Sequence, residues 1–156
     1  MNTRFQRIIL KNGILMLSLG CICCGRTDED VLYAFSVTND SGREISITSF
    51  KADFPEIAPK QVSLKNKEVL LEEFPSRDSG RSYSFLDVFD GDSIIVDYAG
   101  SRFQIFTCIR RGSEGVGCSV PRNILNVLPE PVSGTDILLS EYVFTAEDFN
   151  TAQPLE

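Results

Sequence analysis

Val31-Leu32-Tyr33-Ala34-Phe35-Ser36-Val37-Thr38-Asn39-Asp40-Ser41-Gly42-Arg43-Glu44-Ile45-Ser46-Ile47-Thr48-Ser49-Phe50 decides the fold class. Apolar and polar residues alternate on both sides of Asn39-Asp40-Ser41-Gly42, and β-branched and aromatic side chains dominate. That is the pattern of two half-buried strands about a turn. A three-residue loop Asp40-Ser41-Gly42 predicts a hairpin with Val37 opposite Ile45 and Phe35 opposite Ile47, Gly42 taking the left-handed position. A two-residue loop would set Val37 against Glu44, so the apolar register favours the longer one.

The same texture continues downstream. Phe54-Pro55-Glu56-Ile57-Ala58-Pro59 reads as an extended connection, because its prolines remove ladder donors. Lys67–Glu72 reads as a strand and Ser76–Arg81 as an exposed polar loop. Asp90-Gly91 could close a hairpin between Ser82–Phe89 and Asp92–Tyr98, but that pairing places Asp87 opposite Ile94. The alternative is a short helical turn over Leu86–Phe89 leading into a strand Ser93–Tyr98. Asp136–Phe144 reads as the last strand. It runs into Thr145-Ala146-Glu147-Asp148-Phe149, where Thr145 suits an N-cap, Asp148 stands near N3 and both acids suit a helix N-terminus. Residues 31–156 thus predict an all-β fold, a single immunoglobulin-like antiparallel β-sandwich with a short C-terminal helical turn.

Arg102–Ile109 alternates Phe103, Ile105 and Ile109 with Phe106 and Cys108. With Gly112-Ser113-Glu114 as the following loop, Cys108 faces Cys118 directly, at a Cα separation of about 4.5 to 5.5 Å that a disulfide accepts. In an exported protein that bond would contribute roughly 2 to 3 kcal/mol. The other reading is two reduced, partly buried thiols.

Residues 1–20 form the outline of a lipoprotein signal peptide. Arg4, Arg7 and Lys11 supply the basic start, no acid precedes Asp28, and Ile14–Leu19 is a compact apolar run too short to span a bilayer. Ser18-Leu19-Gly20-Cys21 resembles a lipobox, whose cysteine carries diacylglycerol through a thioether and becomes the mature N-terminus. Ser18 stands where an apolar residue is commoner, which leaves Cys24, and less readily Cys23, as alternative acceptors. Two or three acyl chains, at about 0.8 kcal/mol per buried methylene, make a durable membrane anchor. Residues 21–30 read as a flexible acidic tether ending in Asp28-Glu29-Asp30. With no histidine in the chain, the N-terminal cysteines do not suggest a metal cluster.

Loss of residues 1–20 removes three bases and no acid, leaving 12 bases against 22 acids and a net charge of −10. An acidic surface repels phosphate backbones, which argues against nucleic acid as a partner. Without histidine, Ser-His and Cys-His pairs are impossible, and neither Ser-x-x-Lys nor Gly-x-Ser-x-Gly occurs. Gly112, Gly115 and Gly117 sit in a turn between strands rather than at a helix entry, so phosphate cradling is not expected. Asp87, Asp90, Asp92 and Asp97 are the densest acids. Their spacing fails the calcium-loop template, leaving Asp90 and Asp92 as weak cation candidates against the plainer reading of turn chemistry.

The segments Phe35–Gly42, Asp92-Ser93-Ile94-Ile95-Val96, Asn123-Ile124-Leu125-Asn126 and Tyr142–Phe149, in this order behind such a signal, resemble small Bacteroidetes-type envelope lipoproteins. The resemblance implies a compact β-sandwich exported to the cell envelope, as an outer-membrane lipoprotein. It carries over no catalytic residue and no cofactor. The expected role is a non-catalytic lipid-anchored module presenting a surface to a protein or, less readily without tryptophan, a glycan. The alternatives are a structural or assembly subunit pairing through an edge strand, and a carboxylate hydrolase.

Radiolabelled palmitate should enter the wild-type chain and fail to enter Cys21→Ala. Undiminished labelling of that variant would move the anchor to Cys24.

Overall fold

The computed structural model describes residues 31–76, 81–110, 116–118 and 122–155. The signal segment with Cys21 and Cys24, the tether, most of the Ser76–Arg81 loop and the Gly112-Ser113-Glu114 loop lie outside the described residues.

Among the described residues, ten strands and two short α-helices follow one another. They are β1 (Val31–Asp40), β2 (Ile45–Phe50), β3 (Lys60–Leu64), β4 (Val69–Ser76), α1 (Phe85–Phe89), β5 (Ser93–Tyr98), β6 (Arg102–Arg110), β7 (Val116–Cys118), β8 (Glu130–Pro131), β9 (Ile137–Thr145), α2 (Ala146–Thr151) and β10 (Gln153–Pro154). One sheet has the order β4-β1-β9-β8 and the other β10-β6-β5-β2-β3, with β7 pairing β6. We call these sheet A and sheet B. The result is an all-β sandwich in which the described pairs are antiparallel except β1 with β9, which run parallel.

Both expected strands of the opening segment form, but their pairing differs from the hairpin. β1 pairs β4 and β9, whereas β2 pairs β3 and β5, so Val37 lies opposite Leu70 and Tyr142, and Ile47 opposite Val62 and Val96. The turn is an arch that carries the chain from one sheet to the other. Asn39 explains why. It is fully buried, and its Nδ2 donates to Arg43 O at 2.7 Å and to Leu64 O at 2.9 Å. Its Oδ1 accepts from Ser41 N at 3.1 Å and Ser41 Oγ at 2.7 Å. A hairpin would have met these groups with a ladder; here a side chain meets them and frees the strands to part. Gly42 does take the left-handed region expected of it, at φ 81°.

The return crossing from β3 to β4 closes on the same residue. Asn39 N donates to Glu68 O and Lys67 N donates to Asn39 O, while Gly42 N donates to Asn66 Oδ1. Lys67 is thus a turn residue with φ 69°, and the strand expected over Lys67–Glu72 begins two residues later and extends to Ser76. β3 was not anticipated: its pattern of mostly exposed residues ending in buried Leu64 marks a sheet edge with little apolar signal.

The Asp90-Gly91 segment follows the helical alternative. Ser84 caps α1 in a reciprocal capping box with Asp87, and Asp90 ends it at φ 52°. A Cβ on Gly91 would lie 2.6 Å from Phe50 O, so glycine is required by close approach of β2. The last carbonyls of α1 are met by Lys60 Nζ, which donates to Val88 O at 2.9 Å, and Ser49 Oγ, which donates to Phe89 O at 2.6 Å. At the C-terminus Thr145 and Asp148 form the expected capping box of α2.

Sheet A contributes Phe35, Val37, Tyr142 and Phe144 to the core, sheet B contributes Ile45, Ile47, Ile94, Val96, Tyr98 and Phe106, and α1 adds Phe85, Val88 and Phe89. Edge-to-face contacts join the layers, with Phe35 to Phe85 at 5.2 Å and Tyr98 to Phe144 at 6.5 Å between ring centroids.

Asn39→Ala should lower unfolding free energy by about 2 to 4 kcal/mol in urea titrations, because several buried partners lose their bonds at once. The isosteric Asn39→Asp should lose at least as much, having no donor for the Arg43 and Leu64 carbonyls. A loss below about 0.5 kcal/mol in both would remove Asn39 from the arch account.

Candidate binding surfaces

Cys108, in β6 and 8% exposed, is disulfide-bonded, and the backbone register sets Cys118 of β7 directly across from it. Ile109 meets Gly117 and Arg110 meets Val116 in the same register, the one the Gly112-Ser113-Glu114 loop predicts. Cys108 N also donates to Asp92 O at 3.1 Å, tying the β7 end of β6 to the turn after α1.

The four clustered acids are engaged one by one in turns and caps. Asp87 Oδ2 accepts from Ser84 N at 2.9 Å, and Asp90 pairs with Lys51 at 2.8 Å. Asp92 Oδ1 accepts from Ala52 N at 3.0 Å and Ser93 Oγ at 3.1 Å, and Asp97 Oδ1 accepts from Gly100 N at 2.5 Å. Asp90 and Asp92 therefore serve two different contacts, and among the described residues no group of three or more potential metal ligands converges.

A buried acid that stands apart from this cluster is Asp148. Its Oδ2 accepts from Thr145 N at 2.7 Å and Thr145 Oγ1 at 2.9 Å, and lies 3.1 Å from Arg122 Nη2. Arg122 also donates to Val143 O and stacks over the Tyr142 ring at 5.2 Å. This guanidinium fastens the segment after β7 onto β9 and α2. On the other side of α2, Phe149 lies between Arg43, 4.2 Å from its ring centre, and Arg102, 5.4 Å from it. Arg102 Nη1 donates to Asn150 O and Ala152 O, each at 2.9 Å, so the cation also closes the helix C-terminus.

Burial raises Tyr98 and Tyr142 above the ordinary tyrosine value, and the charge of Asp148 pushes both further the same way. Ser140, 1% exposed on the inner face of β9, has an Oγ with no hydrogen-bond partner among the described residues. Enclosed in the core without an acid-base partner, it is not placed to act as a nucleophile.

Two outer faces remain. On sheet B a shallow groove of about 440 Å³ is lined by Glu44, Ser46, Thr48, Phe50, Gln61 and Ile95 among others. Gln61 Nε2 donates to Ser46 Oγ at 2.7 Å, and Asp97 at the groove margin is the acid already turned to Gly100. Phe50 and Phe54 are the exposed aromatics among the described residues and form no row along a face. Sheet A differs. Its outward positions carry Val69, Leu71 and Glu73 on β4, Leu32, Ala34, Ser36 and Thr38 on β1, and Leu139, Glu141 and Val143 on β9. Leu71 is 70% exposed and Val69 45%. The four strands of sheet A contain Asp40, Glu72, Glu73, Glu130 and Glu141 and not one lysine or arginine.

A strand over this stretch is what the sequence predicts; its exposed apolar outer face is a finding of the structure. Alternation in Val69-Leu70-Leu71-Glu72-Glu73 is poor because apolar residues occur on both faces, and that irregularity was the available signal. No helix among the described residues is long and apolar enough to cross a membrane. Compared with protein-family models, with curated proteins and with solved structures, the chain finds no match in any of the three.

Because the folded state holds Tyr98 neutral, its contribution to stability is complete below the ordinary value of 10.0 and is lost as pH rises beyond it. Urea midpoints should therefore begin to fall near pH 10 and go on falling above it, and Tyr98→Phe should fall less steeply. An unchanged slope in the variant would remove Tyr98 as a cause.

Proposed function

We propose that this chain is a non-catalytic lipoprotein of the cell envelope, held to the outer membrane through Cys21, or Cys24 in its place, and presenting a protein-binding surface. The observation that carries the reading is the outer face of sheet A, where exposed Leu71 and Val69 stand among acids with no basic side chain on the four strands. Exposed apolar side chains on an edge strand are an aggregation hazard unless a partner covers them. Acids around them favour a basic partner and keep the free protein soluble. A protein fits this face better than a glycan, since sugars stack on aromatic platforms and the exposed phenylalanines are scattered.

The same face supports the second reading, a structural or assembly subunit, because among the described residues β4 is the end strand of sheet A. We further read the sandwich as immunoglobulin-like, on the strength of its two sheets and the crossing of the chain between them, and Cys118 as the partner of Cys108. Such a bond suits an oxidising envelope compartment and would hold β7 on β6.

A photo-crosslinking side chain placed at Leu71 in producing cells should yield a polypeptide adduct that raised salt weakens. The same group at Ile105, on the outer face of sheet B, should not. Absence of polypeptide adducts from Leu71 would contradict the reading.

A further inference from the structure

Among the described residues β4 is an edge of sheet A, and the register fixes which of its peptide groups face outward. Asn39 N donates to Glu68 O, and Leu32 N donates to Asp136 O beside β9. In β1, therefore, odd-numbered residues bond toward β4 and even-numbered ones toward β9. Leu70, Glu72 and Phe74 lie opposite Val37, Phe35 and Tyr33 and complete that ladder. Val69, Leu71 and Glu73 then direct their N–H and C=O groups away from the sheet, as does the carbonyl of Pro75. The position of Pro75 agrees: a proline costs no ladder bond where the donor would face outward, and it ends the open stretch. Glu72, half-buried on the inner face, is the kind of inward charge that blunts an edge, and it does so at one position only.

We propose that the stretch Val69–Glu73 takes up an extended segment of another polypeptide by strand addition, and that this segment sets apolar side chains opposite Val69 and Leu71 and a basic one opposite Glu73. The inference rests on the protein-binding reading above and names its mode and partner chemistry. Main-chain bonds to Val69, Leu71 and Glu73 supply affinity, Leu71 and Val69 receive the apolar side chains, and Glu73, on the same outer face, receives the basic one. A second copy of this chain fits less well. Antiparallel pairing about Leu71 sets Glu73 opposite Val69 and Glu72 opposite Leu70, charge against apolar on both strands.

The test uses the full chain and a synthetic peptide of about seven residues that carries on one face a lysine followed by two valines at alternate positions, against one with glutamate in place of the lysine. The lysine peptide should bind, shift the amide resonances of Val69, Leu71 and Glu73, and slow their hydrogen exchange about tenfold; the glutamate peptide should not. Leu71→Pro removes an outward donor and no ladder bond, and should abolish binding while circular dichroism keeps the β signal. Glu73→Lys retains every N–H and should weaken binding by about tenfold, which keeps the proposal testable if the proline variant unfolds. Equal binding of both peptides, equal binding by Glu73→Lys, or shifts confined to the sheet B groove would overturn the strand addition. Protein adducts from Leu71 would in that event still uphold the protein-binding reading. Self-association in sedimentation that Leu71→Pro abolishes would replace the basic segment with a second copy.

Discussion

A single buried amide holds the two sheets in their relation. Asn39 Nδ2 gives both of its hydrogens to carbonyls on opposite sides of the chain's crossings, Arg43 O on the way out and Leu64 O on the way back, while its Oδ1 is taken up by Ser41. Its backbone meets Lys67 and Glu68. The amide meets four backbone or side-chain polar groups at one point, with Leu64 O and the two Ser41 groups in buried contacts, and a buried bond left unmade costs about 1 to 3 kcal/mol. Replacing one atom of that amide with the wrong polarity therefore acts on both crossovers together.

From that constraint follows the placing of everything functional. Because β2 leaves for sheet B, β1 is free on both sides and lies between β4 and the parallel β9. β4 becomes the sheet edge, and its outward peptide groups, its exposed Leu71 and its glutamates are set by the register with β1. Sheet B receives α1 against its inner face, with Lys60 and Ser49 meeting the helix carbonyls. The acids that looked chemical in the linear chain are consumed by these junctions, each holding a different turn or cap. The proposed display function draws on what the junctions leave over, which is the outer face of sheet A.

Local rules carried the reading of the sequence a fair distance. The Thr145 and Asp148 capping box, the short helix before Asp90, the opposition of Cys108 and Cys118, and the alternation of buried Phe106 and Cys108 with exposed Ile105 are set by neighbours within a few residues, and all appear in the fold. The pairing of the opening segment was not legible in that way. Alternation and a glycine in the left-handed region describe a hairpin and an arch equally well. What separates them is Asn39 reaching Leu64, 25 residues on, and a fully buried asparagine in a turn sequence looks like any turn asparagine. β3 and the outer face of β4 were missed for a related reason, since edge strands carry weak or double-sided patterns.

Cross-strand nuclear Overhauser effects in the folded protein bear most directly on the arch. If the two crossings meet at Asn39, the Hα protons of Ser36 and Leu71 lie in a close non-hydrogen-bonded pair and give a strong effect, and the backbone protons of Val37 show none to those of Ile45. A contact between Val37 and Ile45 with no contact between Ser36 and Leu71 would restore the hairpin and contradict the account.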